Sequence, residues 1–363
     1  MTTQPRPIRS SFLCRAMLRA CTGLVLCISV WLPSQAATAP PAGNAALSTQ
    51  ETMDALTRAS LAVVGVQVEA AQGARSIETL GSRRRGSGVV IGADGLVLTI
   101  GYLMLEAQTI QIITQDNKTI PARAVAYDLA TGFGLIMPLL PLRGVTPVVL
   151  GSLNDSKTGD ALMAGIGAQP GKDADVTMTQ LVSKRAFTGY WEYHIDTALF
   201  TSPPVDNHSG VPLFNQRGEL LGIGSLFMQD AMGTAAATRR PGNMFVPIDL
   251  LKPIMAEMTQ TGSSKPSKRP WLGLTSSEQA GKVQIVRVNK ESPAQEAGLQ
   301  AGDVVLAIDD AKVATLEAFY KKLWDRPAPD AQVKLTVQQG SEIKTIVLKP
   351  VDRMSTLRKA TGI

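Results

Sequence analysis

The stretch Gly88-Val89-Val90-Ile91-Gly92-Ala93-Asp94-Gly95-Leu96-Val97-Leu98-Thr99 places two short apolar runs around a turn. Runs of this length suit β-strands, and Ala93-Asp94-Gly95 supplies the turn chemistry of a hairpin. The same rhythm extends outward on both sides. Upstream, Ala62-Val63-Val64-Gly65-Val66-Gln67-Val68 is strand-like, and downstream Thr109 to Thr114 and Ala122 to Tyr127 continue the series. A Pro/Leu-rich crossover from Pro138 to Pro147 separates these from a second series: Ala161 to Ile166, Val176 to Ser183, Val211 to Phe214 and Leu220 to Ile223. Many short strands at regular spacing argue for barrels or sandwiches rather than alternating strands and helices. Two series of similar length point to an all-β dominated chain with two barrels.

Helical signals flank the strands. An Ala/Pro/Gly-rich lead-in from residue 37 ends at Ser48-Thr49-Gln50-Glu51, whose spacing is that of a capping box, and a short helix to about Ser60 follows. The double barrel is expected over residues 61–262. At its end, Ile248, Leu251, Ile254, Met255 and Met258 recur at helical spacing up to Thr261, with Gly262 as the stop. Residues 263–270 contain no apolar side chain but two prolines and exposed charge, the composition of a linker. A compact third unit is expected over residues 271–350, with a tail over 351–363.

The first 36 residues change the composition of the rest. Arg6, Arg9, Arg15 and Arg19 precede the apolar run Ala20 to Leu32, and Pro33 then breaks it before Ser34-Gln35-Ala36. Charge, core length and small residues together make a secretory signal cleaved after Ala36, with an uncleaved anchor as the alternative. All three cysteines (Cys14, Cys21, Cys27) lie in this segment, so the exported chain has none for a disulfide, a thiolate metal site or a nucleophile. Bulky Leu26 stands before Cys27 where a lipoprotein signal needs a small residue. Without the four leader arginines, the formal charge of +6 falls to +2. That balance is no footprint for nucleic acid. The one basic cluster, Arg83-Arg84-Arg85, reads as a solvated loop or hairpin tip. No later stretch is long and apolar enough to span a membrane, no metal-ligand spacing or phosphate-cradling glycine loop occurs, and no cofactor is expected.

Eight landmarks in register make the chain resemble the HtrA/DegP family of periplasmic serine proteases. They are Gly86-Ser87-Gly88-Val89-Val90-Ile91, Asp94-Gly95-Leu96-Val97-Leu98-Thr99, Asp128-Leu129-Ala130-Thr131, Leu150-Gly151-Ser152, Ser209-Gly210-Val211-Pro212-Leu213, Gly218-Glu219-Leu220-Leu221-Gly222-Ile223, Phe245-Val246-Pro247-Ile248 and Arg269-Pro270-Trp271-Leu272-Gly273-Leu274. The resemblance implies a trypsin-like double β-barrel followed by one C-terminal PDZ domain. Ser292-Pro293-Ala294 through Gly298-Leu299-Gln300-Ala301-Gly302-Asp303 resembles the helix, turn and strand of bacterial PDZ domains, with two glycines where the chain doubles back. Leu272-Gly273-Leu274 resembles the loop whose backbone N–H groups hold a peptide's terminal carboxylate. The helix around Glu317 to Trp324, with Phe319, Tyr320 and Leu323, would form the other groove wall. A role of Leu272 and Leu274 as core residues only is the alternative.

Serine protease chemistry needs a hydroxyl nucleophile, an imidazole to take its proton, a carboxylate to orient that imidazole, and N–H groups aimed at the oxyanion. The family pattern T-N-A-H-V reads here Thr99-Ile100-Gly101-Tyr102-Leu103, so a phenol stands at the base position. The pattern D-x-x-T-D-L-A reads Asp128-Leu129-Ala130-Thr131-Gly132-Phe133-Gly134, which puts Gly132 where the orienting acid is expected. The pattern G-N-S-G-G-P-L reads Asn207-His208-Ser209-Gly210-Val211-Pro212-Leu213. Ser209 is retained, while Asn207 and Val211 replace glycines of the oxyanion turn, where a side chain opposes the required backbone conformation. Only His208 and His194 remain as candidate bases, and His194 sits in Tyr190-Trp191-Glu192-Tyr193-His194, a stretch that reads as strand.

Two readings follow. The first is a non-catalytic homologue of the cell envelope that binds C-terminal or unfolded peptide segments through its PDZ groove, in quality control or regulation. The resemblance adds assembly as a trimer or with an active relative. The second is an active or conditionally active endopeptidase that uses Ser209 with a non-standard base.

Overall fold

Ser48 caps α1 (Thr49–Ser60) as its spacing from Glu51 requires: Ser48 Oγ accepts from the Glu51 N–H, and the Glu51 carboxylate accepts from the Ser48 N–H. The computed structural model describes residues 47–233, 238–326 and 330–359. The signal expected over 1–36 and most of the lead-in lie outside the described residues.

The first strand series closes into a barrel. Its strands are β1 (Val63–Ala70), β2 (Arg83–Val90), β3 (Val97–Ile100), β4 (Ala107–Ile113), β5 (Thr119–Tyr127) and β6 (Phe133–Pro138), in the order β1-β2-β3-β6-β5-β4. The short helix α2 (Ile77–Leu80) lies between β1 and β2. A second barrel is built from β7 (Ala161–Ile166), β8 (Asp175–Gly189), β9 (Tyr193–Ser202), β10 (Pro212–Phe214), β11 (Leu220–Met228) and β12 (Gly242–Pro247), in the order β10-β11-β12-β9-β8-β7. Buried Val64, Leu98, Phe133, Phe200 and Val246 belong to one continuous core that runs through both barrels. The barrels abut closely where side chains are missing: a Cβ on Gly65 would lie 1.7 Å from the Ala168 carbonyl oxygen.

The third unit has its own core around Leu274, Ile285, Phe319 and Val337. Its sheet runs β14 (Leu274–Gln279), β15 (Lys282–Val288), β16 (Val304–Ile308), β18 (Val333–Gln339) and β19 (Glu342–Leu348), with β17 (Ala311–Lys312) beside β16. A two-stranded pair joins β13 (Pro270–Trp271) to β20 (Val351–Asp352). Helix α4 (Pro293–Glu296) is capped by Ser292, and α5 (Leu316–Trp324) by Thr315. Gly298 and Gly302 both take positive φ where the chain doubles back.

Four expectations change. The run Arg83-Arg84-Arg85 opens β2 rather than forming a solvated tip, and its middle residue is buried. Ile248 to Thr261 is not one helix: a 3₁₀ turn, Ile248–Leu250, precedes α3 (Met255–Thr261), and Pro253 between them has no N–H to donate to a continuous ladder. The segment 263–270 is not exposed throughout. Ser264 and Ser267 are buried, because their hydroxyls serve groups that burial would otherwise strand: Ser264 donates to Asp128, and Ser267 Oγ accepts from the Leu129 N–H at 2.6 Å. The tail also starts as structure: β20 pairs with β13, a 3₁₀ turn over Arg353–Thr356 follows, and Arg358 then bonds Glu106 and the Gln72 carbonyl of the first barrel.

Candidate functional site

Two of the expected triad positions, Tyr102 and Ser209, meet where the barrels abut. Tyr102 projects from the 3₁₀ turn after β3, and Ser209 from the turn before β10. The Ser209 turn is tied to the first barrel, because the N–H of Ser87 on β2 donates to the Ser209 carbonyl at 2.9 Å. Gly210 has φ +75, and a Cβ there would lie 2.1 Å from the Ser87 carbonyl oxygen, so glycine is required. Asn207 adopts φ +51. The side chain expected to oppose a left-handed backbone is accommodated, asparagine being among the non-glycine residues that enter that region most readily.

The Tyr102 hydroxyl oxygen lies 2.6 Å from Ser209 Oγ and 2.9 Å from the Ser225 carbonyl oxygen. A carbonyl only accepts, so the phenol's single proton satisfies Ser225 and the serine hydroxyl donates to the phenol oxygen. Desolvation pushes the Tyr102 phenol up to about 12. At neutral pH it is a hydrogen-bond partner for Ser209 and not an acceptor for its proton. Gly132, at the expected acid position, has φ +88 and no side chain to orient a base.

Neither histidine side chain is hydrogen-bonded to Ser209 in this arrangement. Among the described residues, His208 makes no side-chain hydrogen bond, and burial holds its imidazole below its ordinary pKa. His194 is buried on β9, with Nδ1 2.8 Å from Thr188 Oγ1 and Nε2 3.2 Å from Asp196 Oδ1. One of these partners, Asp196, is also bonded by Lys321 on α5 of the third unit. There, His194, Asp196 and Glu317 bring ligand-type atoms within 4.8 Å of one another, a juxtaposition that sequence spacing does not reveal. The positive charge among them is already supplied, because Lys321 Nζ donates to Asp196 at 2.9 Å and to Glu317 at 2.8 Å. Those two bonds hold both carboxylates below their ordinary range.

The N–H groups of Leu272, Gly273 and Leu274 converge on a carboxylate of this chain. Glu192 Oε1 accepts from the N–H groups of Gly273 at 2.9 Å and Leu274 at 2.8 Å, and Oε2 accepts from Leu272 at 3.1 Å. Gly273 takes φ +88, which turns consecutive N–H groups toward one point. Leu272, Leu274, Phe319 and Leu323 are all fully buried in the core of the third unit in this arrangement. Glu192 was not singled out by sequence reasoning. Tyr190, Trp191 and Glu192 form the turn between β8 and β9, not a strand, and the available signal was a lone acid within an aromatic run.

Comparison with known proteins agrees with this architecture. A family model described as "Trypsin-like peptidase domain" matches residues 86–223, and one described as "PDZ domain" matches residues 270–349. A protein of Halomonas elongata named "Probable periplasmic serine endoprotease DegP-like" is 27% identical over 294 residues, covering 77% of this chain and 59% of the relative. "Serine protease PepD" of Mycobacterium tuberculosis is 26% identical over 277 residues, covering 70% of this chain and 58% of the relative. The chain thus spans less than two thirds of the length of these relatives. Among solved structures, "HtrA-type protease AlgW with decapeptide" has a TM-score of 0.51 at 20% identity, with 86% of this chain and 99% of that one covered. The serine endoprotease from Yersinia pestis has a TM-score of 0.50 at 20% identity, with 85% and 99% covered. At these identities the structural likeness speaks for the fold.

Proposed function

Because the chain belongs to the HtrA/DegP family, with a trypsin-like peptidase domain followed by a PDZ domain, we propose that it is a member whose serine-protease chemistry has been given up and whose work is peptide binding. The observation that carries this reading is the Tyr102–Ser209 contact: a phenol with a pKa of about 12 stands against the nucleophile, and Gly132 stands where an acid would orient a base. In a protease of this mechanism, loss of the base alone costs on the order of 10⁶ in turnover.

The binding partner on this reading is a C-terminal or unfolded peptide segment taken by the PDZ groove. The N–H triplet of Leu272, Gly273 and Leu274 supports it, since it already holds a carboxylate. A solved relative titled with a bound decapeptide is consistent with the same use. The basic, apolar and small-residue pattern of the first 36 residues, together with relatives named periplasmic, supports export to the cell envelope and a role there in quality control or regulation. Assembly as a homotrimer or with an active relative belongs to the same proposal, and mass photometry with and without such a relative tests it.

Labelling with a fluorophosphonate probe tests the loss of chemistry. The expected result is no Ser209 adduct, with or without C-terminal peptides, and no cleavage of unfolded casein. Labelling or cleavage that disappears in Ser209→Ala would overturn the proposal, and its loss in His194→Ala or His208→Ala would identify the substitute base.

A further inference from the structure

Three contacts place the β8–β9 turn across the PDZ unit in the manner of a bound peptide. The Glu192 carboxylate occupies the N–H triplet of Leu272, Gly273 and Leu274. Two residues earlier, the Tyr190 carbonyl accepts from the Ser276 N–H of β14 at 2.8 Å, as the main chain of an added strand would. From the side of α5, the Tyr320 hydroxyl accepts from the Glu192 N–H at 3.2 Å. Glu192 itself has φ +58, a conformation that non-glycine residues hold only when their surroundings impose it. The carboxylate, the strand contact and the helix wall are therefore all engaged by one turn of the neighbouring barrel.

We infer that the PDZ carboxylate site of this chain carries a built-in ligand, the Tyr190-Trp191-Glu192 turn, which an incoming peptide with a free C-terminal carboxylate must displace. The inference rests on the peptide-binding reading above and adds its regulation. Two carboxylates cannot share three N–H donors, so binding in trans and docking in cis exclude each other. The apparent affinity for peptide is reduced by the fraction of molecules in which Glu192 is docked. Displacement also frees a turn of the second barrel, so peptide arrival at the third unit is felt in the peptidase-like unit. The cis contact is braced nearby by Lys321, which bridges Glu317 on its own helix and Asp196 on β9. A ligand that enters the site must therefore loosen a junction and not only fill a groove.

The experiment uses the full chain and fluorescein-labelled decapeptides ending in Val, Leu, Phe or Ala, each with a free carboxylate or an amide. Fluorescence anisotropy should show weak binding of free-carboxylate peptides to the wild type. Binding to Glu192→Ala should be tighter by about tenfold or more, with the amides silent throughout. Equal affinity for wild type and Glu192→Ala would overturn the inference while leaving the peptide-binding reading intact. Failure of every free-carboxylate peptide on both proteins would instead sink that reading. Hydrogen exchange on the unsubstituted chain keeps the test independent of how well the variant folds. The amides of Leu272 to Leu274 should be protected without peptide, and saturating peptide should speed exchange over Trp191 to Tyr193. Free exchange of those three amides in the peptide-free wild type would show that Glu192 does not occupy the site. Unchanged exchange over Trp191 to Tyr193 under saturating peptide would show that peptide does not displace it.

Discussion

The Tyr102 hydroxyl and Ser209 Oγ lie 2.6 Å apart across the junction of the two barrels, joined by a hydrogen bond that spans 107 residues of sequence. With the Ser225 carbonyl 2.9 Å from the same phenol oxygen, the phenol proton goes to that carbonyl and the serine proton to the phenol oxygen, which is a hydrogen-bond acceptor and not a base at neutral pH. Tyr102 is thus a cross-barrel tie at the position where the family resemblance expects a base.

Restoring histidine alone is not expected to restore turnover. In Tyr102→His the imidazole would have no carboxylate to fix its tautomer, since Gly132 supplies none, and loss of that carboxylate costs about 10⁴ in a working triad. The variant should also lose about 1–2 kcal/mol of stability with the phenol's bonds. Adding Gly132→Asp puts a side chain at φ +88, a further cost of about 1–2 kcal/mol. Casein turnover and urea unfolding of the single and double variants check both points, and measurable turnover by Tyr102→His alone would contradict the account.

The residue before Tyr102 resists the same reversal. A Cβ on Gly101 would lie 2.0 Å from the Tyr127 ring and 3.0 Å from the Phe133 carbonyl oxygen. Gly101→Ala, which writes back the residue of the family pattern, should therefore destabilise the first barrel by about 1–3 kcal/mol through overpacking. Combination with Tyr127→Ala should return part of that loss if the ring is the obstacle. A neutral Gly101→Ala in urea unfolding would refute the packing argument.

Arg84 should be the one member of the basic run that matters for stability. Its guanidinium donates to the Leu105 carbonyl at 2.6 Å, the Gly81 carbonyl at 3.1 Å and Ser76 Oγ at 2.7 Å. Arg84→Ala strands buried acceptors and should cost about 3 kcal/mol, whereas exposed Arg83→Ala and Arg85→Ala should stay within about 0.5 kcal/mol. The three unfolding midpoints, compared side by side, decide the matter.

Arg84 also marks where sequence reading stops. Short apolar runs expose strands such as Ala161–Ile166 directly, and the hairpin at Asp94-Gly95 follows from turn chemistry, so both barrels were legible. The substituted triad positions were equally legible, because a residue type at a motif position is a local fact. Burial of a polar residue is not local. Arg84, Ser264 and Ser267 look exposed by composition and are buried because partners distant in sequence satisfy them: Arg84 and Ser264 donate to theirs, and Ser267 Oγ accepts from the Leu129 N–H. Glu192 belongs to the same class: its donors lie about 80 residues away, and no period or motif announces that they will meet a side chain of the same chain.

The Glu192 contact should leave a signature in the pH dependence of stability. Burial pushes its carboxyl up to about 7, against the three N–H donors and the charge of Arg353, which favour the ionised form. Tyr320 on α5 faces it as a neutral phenol, its own pKa raised by burial and by Glu192. Undocked, the carboxyl returns to its ordinary value near 4.5. The docked state therefore holds the proton more tightly. Its contribution is fully present below about 4.5, declines as pH rises toward about 7, and is constant above that. Between pH 5 and pH 8 the wild type should lose roughly 2–3 kcal/mol relative to Glu192→Gln, in which this group cannot titrate. Urea unfolding of both proteins across that range measures the difference while contributions common to both proteins cancel. A wild type and a Glu192→Gln variant with parallel pH profiles would mean that the carboxylate is not held in the loop in solution.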